Sequence, residues 1–196
     1  SPADLLITNA KLVDVLTGEI RETDVSVGGG KILGFSHTEA VKVVDARGAY
    51  LLPGLIDAHI HIESSMVSPA RFAGLVLPHG TTSVVADPHE IANVHGLEGI
   101  RYMLENGRHL PLNIFIALPS CVPATPFEDS GAVLSAEELE ELIDDPKVTG
   151  IGEMMNFPGV VSGDYDVLAK IQLGTSHGKI VDGHAPGLLG RDLDAY

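Results

Sequence analysis

The segment Asp57-Ala58-His59-Ile60-His61 carries two imidazoles two residues apart. Successive side chains of an extended strand point to opposite faces, so His59 and His61 must share one face. Neutral imidazoles placed in this way can chelate one divalent transition metal. Read alone, the pair is equally well two half-exposed strand histidines, because short motifs also occur without a function. Glu153 follows the apolar run 148–152, which would bring its carboxylate to the histidine pair, where it can bridge two cations. Its plain alternative is a salt bridge at a strand end.

Asp87, His89 and Glu90 stand directly behind another apolar run, 82–86, from which they can reach a substrate or relay protons. The alternative is a turn built on Asp87-Pro88, with His89 on the surface. Glu63, with Ser64 and Ser65, can orient a bound substrate or hold the outer N–H of a metal-bound imidazole, although capping accounts for the serines as well. His37, His79, His95, His109 and His177 fall in loop or helix positions where a solvated imidazole is the default. Cys121 has no designated base beside it and is expected to be a small buried residue. It is also the only cysteine. His61-Ile62-Glu63 therefore imitates only half of the His-x-Glu plus Pro-Cys-x-x-Cys zinc signature, and that chemistry is excluded.

These groups need elements to hold them. Residues 4–45 read as short strands, Leu5 to Asn9, Lys11 to Val15, Val25 to Val27, Lys31 to Phe35 and Val41 to Asp45, separated by glycine turns. A small β module over residues 1–52 follows. From Pro53 onward, apolar runs alternate with helix-like stretches, the rhythm of βα units and a parallel sheet. The expected inner strands are Leu55 to Ile60, Thr82 to Ala86, Leu112 to Leu118, Val148 to Gly152 and Lys179 to Asp182. Ser68-Pro69 opens a helix, Gly107 stops the next, Ser135 with Glu138 makes a capping box, and a last helix starts near Gly190. The fold class is α/β. About five βα units over residues 53–196 suggest an incomplete (β/α)8 barrel, since closure takes eight strands. An open doubly wound sheet is disfavoured because no glycine-rich dinucleotide turn follows the first strand.

Among 196 residues, 27 acidic against 12 basic side chains leave a formal net charge of −15. Such a surface repels nucleic-acid phosphates and anionic lipid, so neither is an expected partner. With 44% hydrophobic residues the chain has ample material for a core. A lone cysteine and the absence of a secretory signal pattern lead to an expected cytoplasmic location.

The stretch Pro53 to His61 resembles the first barrel strand of the amidohydrolase superfamily. Within that superfamily, His61-Ile62-Glu63-Ser64-Ser65-Met66, Gly80-Thr81-Thr82, Asp87 to Val94, Ser120-Cys121-Val122-Pro123, Gly152 to Val160 and Asp182 to Gly187 resemble the adenine deaminases, in the same order and across nearly the whole chain. The resemblance implies metal-dependent hydrolytic deamination of adenine to hypoxanthine and ammonia, a purine-salvage reaction. It implies His59, His61, Glu153 and His184 as metal ligands of a binuclear manganese or iron centre, with zinc also fitting. It leaves Glu63, Asp87, His89 and Glu90 as catalytic or substrate-binding candidates. Members of this family continue through three more strands that supply another histidine and an aspartate, so the chain is expected to be part of a longer enzyme. Its unpaired sheet edges are expected to meet a second copy or that remaining part. The alternatives are an amidohydrolase acting on another cyclic amide or aminopurine, and a non-catalytic remnant that keeps the fold.

Overall fold

The computed structural model describes residues 2–125 and 127–196. The chain forms two compact units that part between Gly54 and Leu55. The first is a mixed sheet of β1 (Ala3–Val13), β2 (Ile20–Gly28), β3 (Lys31–Gly34), β4 (Ala40–Asp45) and β5 (Tyr50–Leu51). Its order is β3-β2-β1-β4, with β5 also paired to β1.

Where the sequence suggests two strands, Leu5 to Asn9 and Lys11 to Val15, the structure has β1 alone. The cause is a bulge. The β1–β2 register shifts between Ile7 and Ala10, and Asn9 takes a left-handed φ of 54°, a conformation asparagine tolerates. Its backbone N–H donates to Asp24 Oδ1 at 3.1 Å and its amide to Asp45 Oδ1 at 2.9 Å. The extra residue breaks the two-residue alternation without breaking the strand. β1 ends at Val13 rather than Val15 because Asp14 Oδ1 accepts from the backbone N–H of Leu16 and Thr17, at 3.0 and 3.2 Å, closing a turn.

The second unit is built on β6 (Leu55–Ile60), β7 (Thr81–Ala86), β8 (Asn113–Leu118), β9 (Val148–Met154) and β10 (Ile180–Gly183). All four ladders are parallel, and the spatial order repeats the chain order. A doubly wound sheet reverses its strand order part-way; this sheet never does. It is a singly wound, incomplete (β/α) barrel. The helices are α1 (Pro69–Val76), α2 (His89–His95), α3 (Leu97–Gly107), α4 (Ala136–Ile143), α5 (Phe157–Ser162), α6 (Tyr165–Ser176) and α7 (Gly190–Ala195). The faces they bury follow helical spacing, with Ile100, Met103, Leu104 and Gly107 on α3 and Leu139, Leu142 and Ile143 on α4. These side chains pack with Val84, Ile114, Ile116, Leu118 and Ile151 of the central strands into one core. Ser135 and Glu138 form the expected capping box on α4. The second helical stretch is two helices, because Gly96 (φ 59°, ψ −139°) breaks it, and α3 runs through Gly107 before ending at Arg108.

The outer strands are bare: Leu55 and Ile56 of β6 are 53% and 69% exposed, and Ile180 of β10 is 70% exposed. Among the described residues, no helix is long and apolar enough to cross a membrane. Gly150 pairs with Ile180 across β9 and β10, and a Cβ at 150 would fall onto the Ile180 carbonyl. Gly150→Ala is therefore expected to cost about 1–3 kcal/mol through forced strand separation. The measurement is a lower urea midpoint with an unchanged slope; an unchanged midpoint would contradict the close approach.

Candidate metal centre

Parallel winding brings the C-terminal ends of β6, β7, β9 and β10 to the same end of the sheet, where this architecture carries its chemistry. His59 lies near the end of β6 and His61 just past it, Asp87 follows β7, His89 opens α2, Glu153 lies inside β9 one residue from its end, and His184 follows β10. Glu153 was expected beyond its strand. The ladder extends two residues further because Met154 pairs with Gly183.

Hydrogen-bond partners assign the two imidazole tautomers. His61 Nδ1 is 2.8 Å from the backbone carbonyl of Asp87, and His59 Nδ1 is 3.3 Å from Asp182 Oδ2. Both oxygens can only accept, so each Nδ1 carries the proton and each Nε2 presents a lone pair. The two Nε2 atoms are 3.2 Å apart. Glu153 Oε1 lies 3.2 Å from His61 Nε2 and 3.7 Å from His59 Nε2. With both rings neutral, three lone-pair atoms thus face one another, an arrangement relieved by a shared proton or by a metal cation. Imidazole and carboxylate without thiolate suit divalent first-row metals, and the cluster fits a divalent metal site.

Glu153 is buried and anchored on both sides of its peptide. Its N–H donates to Asp87 Oδ2 at 3.0 Å, and its carbonyl accepts from Ser120 Oγ at 2.6 Å. Gly152 is required beside it, since a Cβ there would overlap the Asp87 carboxylate. The second carboxylate oxygen, Oε2, meets His184 Nδ1 at 2.7 Å. The two oxygens therefore face different histidines, Oε1 the pair His59 and His61 and Oε2 His184.

Asp87, His89 and Glu90 also converge here. His89 is not on the surface, as an Asp87-Pro88 turn would have it; its ring lies 4.4 Å from that of His61. His89 Nδ1 stands 3.7 Å from Asp87 Oδ1 and 3.6 Å from Glu153 Oε1. The Asp87 carboxylate raises the His89 pKa above its ordinary value, against the opposing effect of burial. Asp87 Oδ1, His89 Nδ1, Glu90 Oε2 and Glu63 Oε2 are buried without a hydrogen-bond partner among the described residues. Glu63 sits further out: its Oε1 accepts from the Ile91 N–H at 3.2 Å, and burial raises its pKa. Ser64 Oγ donates to Glu90 Oε1 at 2.6 Å. Ser65 turns back to the Ile62 carbonyl. Cys121 is buried, as expected.

Sequence reasoning missed Asp182, Ser120 and Tyr196. Asp182 was detectable, because it stands two residues before His184 at the end of an inner strand. Ser120 and Tyr196 act through backbone atoms, which no side-chain pattern announces.

An amidohydrolase family model matches residues 50–194. The chain belongs to the amidohydrolase family. It is 63% identical over 196 residues to an adenine deaminase of Nitratidesulfovibrio vulgaris, covering 100% of this chain and 34% of that protein. With an adenine deaminase of Desulfatibacillum aliphaticivorans it shares 53% identity over 195 residues, again 100% of this chain and 34% of the relative. The chain thus spans about a third of the length of these curated relatives. Among solved structures, a D-aminoacylase superposes with a TM-score of 0.63 at 20% identity, covering 99% of this chain and 48% of that one. An N-isopropylammelide isopropylaminohydrolase of Burkholderia multivorans superposes with a TM-score of 0.64 at 19% identity, covering 97% and 56%. At that identity these two speak for the amidohydrolase fold alone.

Cation binding to the folded state alone should stabilise this amidohydrolase, by about 2.7 kcal/mol at a hundredfold excess over Kd. Adding Mn(II) is expected to raise the unfolding midpoint, EDTA to reverse the rise, and Glu153→Gln to abolish most of it. A midpoint indifferent to Mn(II) and to EDTA would contradict the metal reading of the cluster.

Proposed function

We propose that this chain supplies the amino-terminal, metal-binding part of an adenine deaminase that hydrolyses adenine to hypoxanthine and ammonia. The observation that carries the substrate is the 63% identity along the full chain to an adenine deaminase. The geometry supports the reaction class. His59 Nε2, His61 Nε2 and Glu153 Oε1 would hold one cation, and Glu153 Oε2 with His184 a second, in a manganese or iron centre that zinc also suits. When bound, such cations supply Lewis acidity, lowering the pKa of a water molecule until it is a competent nucleophile near neutral pH.

Overall, the oxygen of one water adds to C6 of adenine, the bond from C6 to the exocyclic nitrogen breaks, one water proton completes the departing ammonia and the other remains on the hypoxanthine ring. The chain's own residues do the remaining work. Asp182 and the Asp87 carbonyl keep the Nε2 lone pairs of His59 and His61 directed into the site. Asp87 and Ser120 hold the Glu153 backbone, which fixes the point from which its side chain reaches into the site. His89, Asp87 and Glu90 present unpartnered buried atoms to the same space, which suits them to receive the purine edge and to move protons as the amine departs. Glu63 and Ser64 brace this group from outside through Ile91 and Glu90. The exposed edges at Leu55, Ile56 and Ile180 would be covered by a second copy or by further residues of the same protein.

The test is hydrolysis of adenine by the protein, with guanine and dihydroorotate as comparison substrates. Release of ammonia from adenine alone is expected, lowered in kcat by Glu153→Gln by no less than the roughly 10–100-fold that loss of an outer partner of a ligand costs. Turnover of dihydroorotate or guanine in preference to adenine would overturn the substrate while leaving the hydrolase reading standing.

A further inference from the structure

Beyond the groups that face the cations, one hydroxyl ties together the two strands that carry them. Glu153 and His184 sit on β9 and just past β10, and the ladder between these strands loses its regular register between Val181 and Gly183. Pairing resumes only at Met154 and Gly183, and the Tyr196 hydroxyl adds a second tie at that point: it accepts from the His184 backbone N–H at 2.9 Å and donates to the Met154 carbonyl at 3.0 Å. Met154 is the residue after Glu153, so one atom bridges the main chain at both ligand positions. Tyr196 arrives from the C-terminal end of α7 and packs against the core. Its approach depends on Gly183, where a Cβ would stand 2.9 Å from the hydroxyl and 3.2 Å from ring Cε1.

We infer that Tyr196 is a positioning residue for the second cation, clamping β9 to β10 so that Glu153 Oε2 and His184 Nδ1 stay at ligand spacing. The inference rests on the reading of His184 as a ligand. The clamp's effect falls first on the ion beside His184, because the hydroxyl bonds to the main chain of His184 itself and of Met154, whereas His61 is held by the Asp87 carbonyl on another strand end.

The test is Mn(II) titration of the protein, with bound metal counted by elemental analysis and paired ions detected by electron paramagnetic resonance, in four variants. The unaltered protein should bind two ions per chain with a spin-coupled signal. His184→Ala should keep one. Tyr196→Phe should weaken the second ion by about 10- to 100-fold, the usual cost of losing an outer hydrogen bond to a ligand, while the first keeps its affinity. Gly183→Ala, which displaces the hydroxyl, should reproduce that loss, and should add little when combined with Tyr196→Phe. If His184→Ala costs the second ion but Tyr196→Phe and Gly183→Ala do not, the clamp is wrong and the ligand reading stands. If His184→Ala still binds two ions, the ligand reading fails and the clamp falls with it. Equal weakening of both ions in Tyr196→Phe would mark a merely structural tyrosine and would also overturn the inference.

Discussion

The site depends on a single electrostatic constraint: three lone-pair atoms held at close range. His59 Nε2, His61 Nε2 and Glu153 Oε1 meet within 3.2 to 3.7 Å, with both Nδ1 atoms directed to acceptors elsewhere. Such a contact is unfavourable in a folded chain, and the surrounding structure is organised to maintain it. Asp182 and the Asp87 carbonyl fix the rings, Ser120 and Asp87 fix the Glu153 backbone, and Gly152 makes room for the Asp87 carboxylate. A divalent cation turns the same arrangement from a repulsive one into a binding one. Asp87, His89 and Glu90 add buried atoms without a hydrogen-bond partner among the described residues, the kind of group that calls for an explanation in a native fold.

The sheet makes this possible through its winding. Strands that follow one another in space as in sequence deliver residues from positions 59, 87, 153 and 184 to one end, although more than a hundred residues separate the first from the last. Each of these residues sits on or beside a strand end, where the ladder limits its movement.

Much of this was legible in the residues. The five parallel strands follow from apolar runs, because interior strands of a parallel sheet are buried on both faces, and the α4 capping box is a local signal with a local cause. The histidine pair is legible because strand periodicity alone decides which way it points. What escaped detection shares one physical reason: it depends on backbone geometry. The Asn9 bulge reverses the alternation on which strand reading depends, Gly96 splits a helix at a φ/ψ that no pattern encodes, and Ser120 and Tyr196 work through carbonyl and amide groups. The role of Asp182 was within reach but needed the fold to show which ring it supports.

Anomalous diffraction at the manganese edge, from crystals of the Mn(II)-loaded protein, reads out whether the Glu153 carboxylate stands between two cations. Two peaks flanking that carboxylate are expected, one beside His59 and His61 and one beside His184. A single peak, or peaks away from Glu153, would contradict it.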